Sequence, residues 1–251
     1  MPLTDADVER YSRQLILDGV GEAGQARLGA ARVVVVGAGA LGSPVVQYLA
    51  ASGVGHLTIY DGDSVELSNL SRQPLHGEHD LGLSKAESAA RSAREINSAV
   101  DVVAVGRHLL PGEAEGVVAG FDVVCDATDD FAIKFALNDA CVSAGVTLVH
   151  AAILQYGGQL TTVVPGGPCY RCLFGAEPDP AAVPTCAQAG ILGPVASVVG
   201  GLQATEALKV ILGVGEPLSG RLLVYDGLRP RTRNVDFARD PACPARHNPA
   251  L

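Results

Sequence analysis

The chain has 251 residues, 48% apolar and 18% charged, with a formal net charge of −9 and a pI near 5.1. That length gives one large domain or two small ones, with enough apolar content for a sizeable core and too little polar bias for disorder. An acidic surface repels nucleic-acid phosphates, no basic segment leads into an apolar run at the start, and apolar stretches are strand-length or glycine-broken; nucleic-acid binding, a signal peptide and a membrane span are therefore not expected, and a cytoplasmic location is.

Residues 4–29 read as one or two amphipathic helices, with Thr4 as N-cap and Asp5 and Asp7 in the first turn. Val33–Val36 is a four-valine run that suits a strand buried on both faces of a parallel sheet. A glycine loop, Gly37-Ala38-Gly39-Ala40-Leu41-Gly42, leads into a helix to about Ser52, and His56–Asp61 is a second strand. Ser84-Lys85-Ala86-Glu87 has capping-box spacing and opens a helix to about Asn97. A strand at 100–105, a short helix near 113–119, a strand at Asp122–Thr128, a helix at 131–144 and a strand at 147–152 follow. This alternation predicts an α/β fold with a doubly wound, Rossmann-like, mainly parallel sheet. Gly158–Val164 and Arg221–Asp226 are expected to extend the sheet, with a helix at 195–212 between them. The expected organisation is a single continuous domain over 1–251: N-terminal helices at 1–30, a nucleotide-binding half at 31–152, a substrate-handling half at 153–228 with a mobile loop at 175–190, and a tail at 229–251.

Strand, GxGxxG, helix and a later acidic residue form a consistent set. The glycines allow a tight turn and close approach of backbone to phosphate, and the helix N-terminus offers free N–H groups to an anion. Asp61 lies 19 residues beyond Gly42, where a carboxylate accepts hydrogen bonds from ribose hydroxyls. NAD, FAD and ATP all suit this loop. Asn69, Arg72 and Lys85 follow the second strand at the carboxyl edge of the sheet, and two cations with an amide suit a triphosphate better than a dinucleotide. The chain has only three lysines, which makes Lys85 informative, although each of these residues also reads as solvated surface. Asp129 and Asp130 end the fourth strand. The first is expected to hold the Mg²⁺ that accompanies ATP and the second to cap the next helix.

Arg10-Tyr11-Ser12-Arg13-Gln14, the GAGALG loop, Asp61-Gly62-Asp63, Ser68-Asn69-Leu70-Ser71-Arg72-Gln73, Lys85, Ala127-Thr128-Asp129-Asp130 and Cys169-Tyr170-Arg171-Cys172 occur in one order along the chain. Together they resemble the MoeB/ThiF/HesA family, the bacterial relatives of ubiquitin-activating enzymes, from about residue 5 to 243. The resemblance implies an ATP-dependent adenylyltransferase. Such an enzyme activates the C-terminal carboxylate of a small ubiquitin-like sulfur-carrier protein, of the MoaD or ThiS type and ending in Gly-Gly, to an acyl-adenylate. Molybdopterin, thiamine and related sulfur-transfer pathways use such enzymes. It further implies a homodimer in which Arg13 reaches the partner subunit's ATP. Gly37, Gly39, Ala40 and Gly42 would line the nucleotide, Asp61 would bind the ribose, Asp63 would also belong to the nucleotide site, Asn69, Arg72 and Lys85 would lie at the triphosphate, and Asp129 at Mg²⁺. There is no rhodanese-like extension, so a separate sulfur donor, a cysteine desulfurase or a rhodanese, is expected.

Six cysteines in a chain of this kind suggest metal or thiol chemistry more than disulfides. Cys169 and Cys172 form a CxxC, half of a tetrahedral zinc site. By resemblance a second CxxC belongs near the C-terminus; Cys243 stands in place, but Arg246 occupies the partner position. His247 is the expected fourth ligand of a Cys₃His zinc site, the alternative being a degenerate site without metal. Cys186 matches a cysteine that some family members use as a nucleophile, the alternative being a passive thiol. Cys125 and Cys141 read as apolar packing, and no histidine spacing defines a ligand set. An NAD(P)-dependent oxidoreductase would use the loop and Asp61 but leave Arg13, Arg72 and Lys85 without work. A non-catalytic scaffold, or a relative acting on tRNA or a peptide, would keep the fold.

Overall fold

The computed structural model describes residues 3–179 and 186–245. Helices α1 (Asp5–Leu15) and α2 (Gly21–Ala30) precede strand β1 (Arg32–Val36). Then come α3 (Gly42–Ala51), β2 (His56–Tyr60), α4 (Lys85–Ile96), β3 (Asp101–Val105), α5 (Ala114–Val118), β4 (Val123–Asp126), α6 (Phe131–Ala144) and β5 (Thr147–Leu154). The remainder is β6 (Gly157–Val163), α7 (Tyr170–Phe174), α8 (Cys186–Ala189), α9 (Gly193–Leu212), β7 (Arg221–Asp226) and β8 (Arg231–Asp236).

The strands form one sheet in the order β3-β2-β1-β4-β5-β6-β7-β8, parallel from β3 to β5 and antiparallel from β5 to β8. The expected doubly wound sheet with an antiparallel extension is thus present. Its valine run shows why. Side chains alternate across a strand, so Val33 and Val35 enter the cluster packed by α3, α4 and α9. Val34 and Val36 enter the opposite cluster, packed by α5 and α6. Cys125 and Cys141 are buried in these clusters, as apolar packing requires. Helix α9 is long and apolar enough to cross a membrane by length and composition, but Val199, Ala204 and Ala207 are buried and it packs on β4, β5 and β6.

Two local expectations need correction. Arg231–Asp236, inside the expected tail, is the edge strand β8, paired with β7 along its whole length and exposed throughout. The Cys169–Cys172 stretch opens α7, with Cys169 at the N-cap position. Ser84 sits before α4 but makes no side-chain cap bond, because it forms an isolated bridge with Ser64 and its hydroxyl faces Gly106 instead. By contrast Thr4 and Asp7 form a full capping box on α1.

Helix α1 is fixed to the amino edge of the sheet. Asn97 Nδ2, at the end of α4, donates to the Tyr11 hydroxyl at 2.8 Å, and Gln14 Nε2 donates to the Ser52 carbonyl, at the end of α3, at 3.0 Å. Arg10 donates to the Ile96 carbonyl at 3.0 Å. Arg13 is exposed and makes no hydrogen bond or ion pair among the described residues. Tyr11→Phe should therefore lower the unfolding free energy in urea titration by about 1 kcal/mol, while Arg13→Ala should change it by less than about 0.5 kcal/mol.

Candidate functional site

The strand order reverses between β1 and β4, and the crevice at their carboxyl ends is where a doubly wound sheet binds its ligand. The glycine loop lies there, but its glycines differ in kind. Gly37 has φ +100°, and a Cβ on it would lie 2.7 Å from the Ala127 carbonyl oxygen. A Cβ on Gly42 would lie 1.9 Å from the Gly37 carbonyl oxygen. These two are demanded by the fold itself. A Cβ on Gly39 would meet only Gln73 Nε2, at 3.7 Å, so packing within the chain does not require glycine there. Half-buried Ala40 completes the turn into α3.

Two side chains hold this loop from behind. Asp61 Oδ2 accepts from Ala38 N at 2.7 Å and its Oδ1 from Asp63 N at 2.9 Å. His76 Nε2 donates to the Ala38 carbonyl at 2.9 Å, while its Nδ1 meets Ser88 Oγ at 2.8 Å. Burial holds His76 below its ordinary pKa, which keeps the ring neutral and its donor on the Nε2 side. No sequence spacing marked His76.

The next group comes from the segment after β2. Lys85, at the start of α4, is buried and its Nζ donates to Asp63 Oδ2 at 2.8 Å. Exposed His108 approaches the other oxygen of Asp63 at 3.5 Å. Asn69 closes a single-turn helix at Leu67–Asn69, with its Oδ1 accepting from Glu66 N at 3.1 Å. Arg72 Nη1 donates to the Ser68 carbonyl at 2.8 Å. The start of α9 presses on this segment, since a Cβ on Gly193 would lie 2.5 Å from the Ser71 carbonyl oxygen.

At the end of β4 the chain turns through Thr128 and Asp129 into α6. Asp130 caps α6, its Oδ1 accepting from Ile133 N at 3.2 Å. Asp129 is exposed, and its carboxylate has no partner among the described residues. Beneath this turn lies a buried charged cluster. Asp126 accepts from His150 Nδ1 at 2.6 Å and from Lys134 Nζ at 3.2 Å, and Lys134 also donates to the Ala151 carbonyl at 2.9 Å. Burial opposes ionisation of Asp126, yet Lys134 and His150 hold its carboxyl below the usual range. Burial, then Lys134, holds His150 low, hence neutral.

A second cluster lies beside α6. Cys169 Sγ is 3.7 Å from Cys172 Sγ and 3.6 Å from Cys243 Sγ. A zinc ion at about 2.3 Å from each sulfur would separate thiolates by about 3.8 Å, so the three sulfurs fit three corners of a tetrahedral site. Burial pushes the Cys169 thiol up to about 12, so a thiolate there requires a cation beside it. Arg171 fixes the segment by forking onto Asp139, with contacts of 2.7 and 2.8 Å. His247, the expected fourth ligand, and Arg246 lie outside the described residues. So do residues 180–185 of the expected loop, and of Cys186 only its place at the start of α8 is described.

The structure therefore gathers Gly37, Gly39, Ala40, Gly42, Asp61, Asp63, Asn69, Arg72, Lys85 and Asp129 along one edge of the sheet, and Arg13 lies at the opposite edge. The crevice has the place and form of the ligand site of a Rossmann-type sheet, with cations and an exposed carboxylate added to the glycine loop. The ThiF family model matches residues 11–245, and the chain belongs to that family. It is 50% identical over 244 residues to the SAMP-activating enzyme E1 of Haloferax volcanii, covering 97% of this chain and 90% of that protein. It is 46% identical over 250 residues to the sulfur carrier protein adenylyltransferase of Thermus thermophilus, covering 97% and 92%. With the mouse adenylyltransferase and sulfurtransferase MOCS3 it shares 49% identity over 238 residues, 94% of this chain but 52% of that protein. Among solved structures, E. coli MccB with ATP superposes with a TM-score of 0.84 at 26% identity, over 95% of this chain and 75% of that one.

The different demands on the glycines are separable. Gly42→Ala should unfold the protein or lower its melting temperature steeply, because the new Cβ meets backbone. Gly39→Ala should leave the melting temperature nearly unchanged while weakening binding of a fluorescent ATP analogue by at least about ten-fold, the cost of blocking close approach to phosphate.

Proposed function

We propose that this chain is an adenylyltransferase that uses Mg·ATP to activate the C-terminal carboxylate of a small ubiquitin-like sulfur-carrier protein. The observation that carries this reading is the near full-length match to two proteins named for activating such carriers, joined to the cationic carboxyl edge of the sheet. An NAD(P) oxidoreductase would leave the unpartnered Asp129 and the Lys85–Arg72–Asn69 group without a role.

In this reading the Gly39 opening admits the phosphates to the loop, and Asp61, already fixing Ala38, keeps acceptor capacity for ribose hydroxyls. Lys85 and Arg72 neutralise phosphate oxygens, and Asn69 donates to them. Bound at Asp129, Mg²⁺ supplies charge neutralisation on the phosphates. The carrier's carboxylate is already a nucleophile near neutral pH, so no general base is needed. One carboxylate oxygen attacks the α-phosphorus, the bond from that phosphorus to the bridging oxygen breaks, and pyrophosphate leaves with the electron pair. Alignment and electrostatics carry this step. A groove of about 360 Å³ at the same edge, lined by Leu154, Tyr156, Tyr225, Leu228, Arg231 and Arg233, offers apolar and cationic surface along the route of an extended tail. Sulfide-level sulfur from a separate donor then attacks the acyl carbon, the bond from that carbon to the phosphate oxygen breaks, and AMP leaves the thiocarboxylate.

Arg13 supports a homodimeric enzyme. It neighbours Gln14, which is bound to the end of α3, and α3 places about 15 Å between that end and the glycine loop at 1.5 Å per residue. That distance leaves Arg13 no part in its own subunit's glycine loop, in keeping with the family resemblance, which implies that it acts in the site of a second subunit. Mixing Arg13→Ala with Arg72→Ala subunits, each inactive alone, should restore ATP–pyrophosphate exchange, since the mixed dimer holds one complete site. Intact-mass spectrometry with a Gly-Gly carrier should show an adenylate adduct; no adduct with any candidate carrier would defeat this reading.

The three clustered cysteines support a structural zinc ion in a cytoplasmic, thiol-reducing setting. Purified protein should contain about one zinc per chain by elemental mass spectrometry. Cys172→Ala should lose it and melt lower, with His247→Ala reporting whether that residue closes the site.

A further inference from the structure

The buried cluster under the β4 turn has no task in the chemistry above. Asp126 is 0% and Lys134 2% exposed, so both charges are fully removed from water. Such a pair seldom stabilises a fold better than apolar side chains of the same volume, and its retention needs another reason. The hydrogen bonds supply one. Asp126 Oδ1 accepts from Thr128 N at 3.1 Å, Thr128 Oγ1 accepts from Asp130 N at 3.1 Å, and Asp130 Oδ1 holds the first turn of α6. Lys134, one turn into that helix, reaches back to Asp126 and so ties the end of β4 to the start of α6. Every residue of the turn is fixed except the Asp129 side chain. The turn also abuts the phosphate loop, since a Cβ on Gly37 would lie 3.2 Å from Thr128 N.

We propose that Asp126 and Lys134 are positioning residues that set the Asp129 carboxylate against the glycine loop, and that the buried pair serves the divalent cation rather than the stability of the fold. This rests on the reading of Asp129 as the Mg²⁺ carboxylate. Removing groups that orient a metal ligand typically costs 10–100-fold in metal affinity. The test is Mn²⁺ binding to the full chain with a non-hydrolysable ATP analogue, followed by electron paramagnetic resonance. The variant Asp126→Asn/Lys134→Met removes both charges together and leaves none unpaired. It should weaken Mn²⁺ by roughly ten-fold, while affinity for the analogue in EDTA stays within about two-fold and Lys134→Arg retains wild-type Mn²⁺ affinity. Thr128→Val, which deletes the staple to Asp130 without touching the buried charges, should weaken Mn²⁺ in the same direction and serves should the double variant not fold. Loss of Mn²⁺ affinity in Asp129→Ala with wild-type affinity in the double variant, or in Thr128→Val where that is the variant that folds, overturns the positioning role alone. Wild-type affinity in Asp129→Ala overturns the metal role of Asp129 and the inference with it.

Discussion

The close approach of two backbone turns at the β1–β4 crevice governs this molecule. Gly37 leans on the Ala127 carbonyl, and Gly42 leans on Gly37, with no room for a side chain at either contact. Parallel pairing of Val36 with Asp126 brings the two turns to the same level. One of them presents the glycine loop and the other the exposed Asp129 carboxylate, which has no partner among the described residues. A loop of backbone amides before a helix suits an anion and a free carboxylate suits a cation, so the junction sets two complementary charges side by side.

The surrounding polar groups share a division of labour. Those that shape backbone are committed to it: half-buried Asp61 and buried His76 to Ala38, buried Asp126 to Thr128, and the side-chain oxygen of buried Asn69 to Glu66. Those suited to meet a ligand are exposed, or paired with a group that can release them. Lys85 illustrates the second case. Its amine is buried but bonded to half-exposed Asp63, which solvent and a phosphate can both relieve of its partner. A desolvated cation held by an exposed anion is open to exchange with an anion of higher charge.

Much of this was legible in the sequence. The valine run, the glycine loop and the acidic residues ending β2 and β4 each carry a local signature, because strand alternation, turn sterics and helix capping act over a few residues. What escaped notice depends on distance along the chain. His150 lies 24 residues from Asp126 and meets it only because β4 and β5 pair. Lys134 looked like one helical lysine among three, and its inward direction is set by the Asp126 it neutralises. His76 shows no ligand spacing because its partners, Ala38 and Ser88, lie on two other elements. Strand β8 was hidden by composition: Arg-Thr-Arg-Asn has no apolar alternation to read, since an exposed edge strand is held by its ladder to β7 and not by a buried face.

That edge strand bears on how a large, flexible substrate would be met. On the β3 side the crevice is bounded by the segment built from Asp63, Lys85 and His108. The antiparallel side is different. Its outermost strand, β8, is exposed throughout, and Arg231 and Arg233 line the groove there beside Asp226. The departure from a purely parallel sheet thus gives one fold two kinds of edge: a tight parallel crevice between β1 and β4, closed by backbone contacts at Gly37 and Gly42, and an open antiparallel side that ends in an exposed strand.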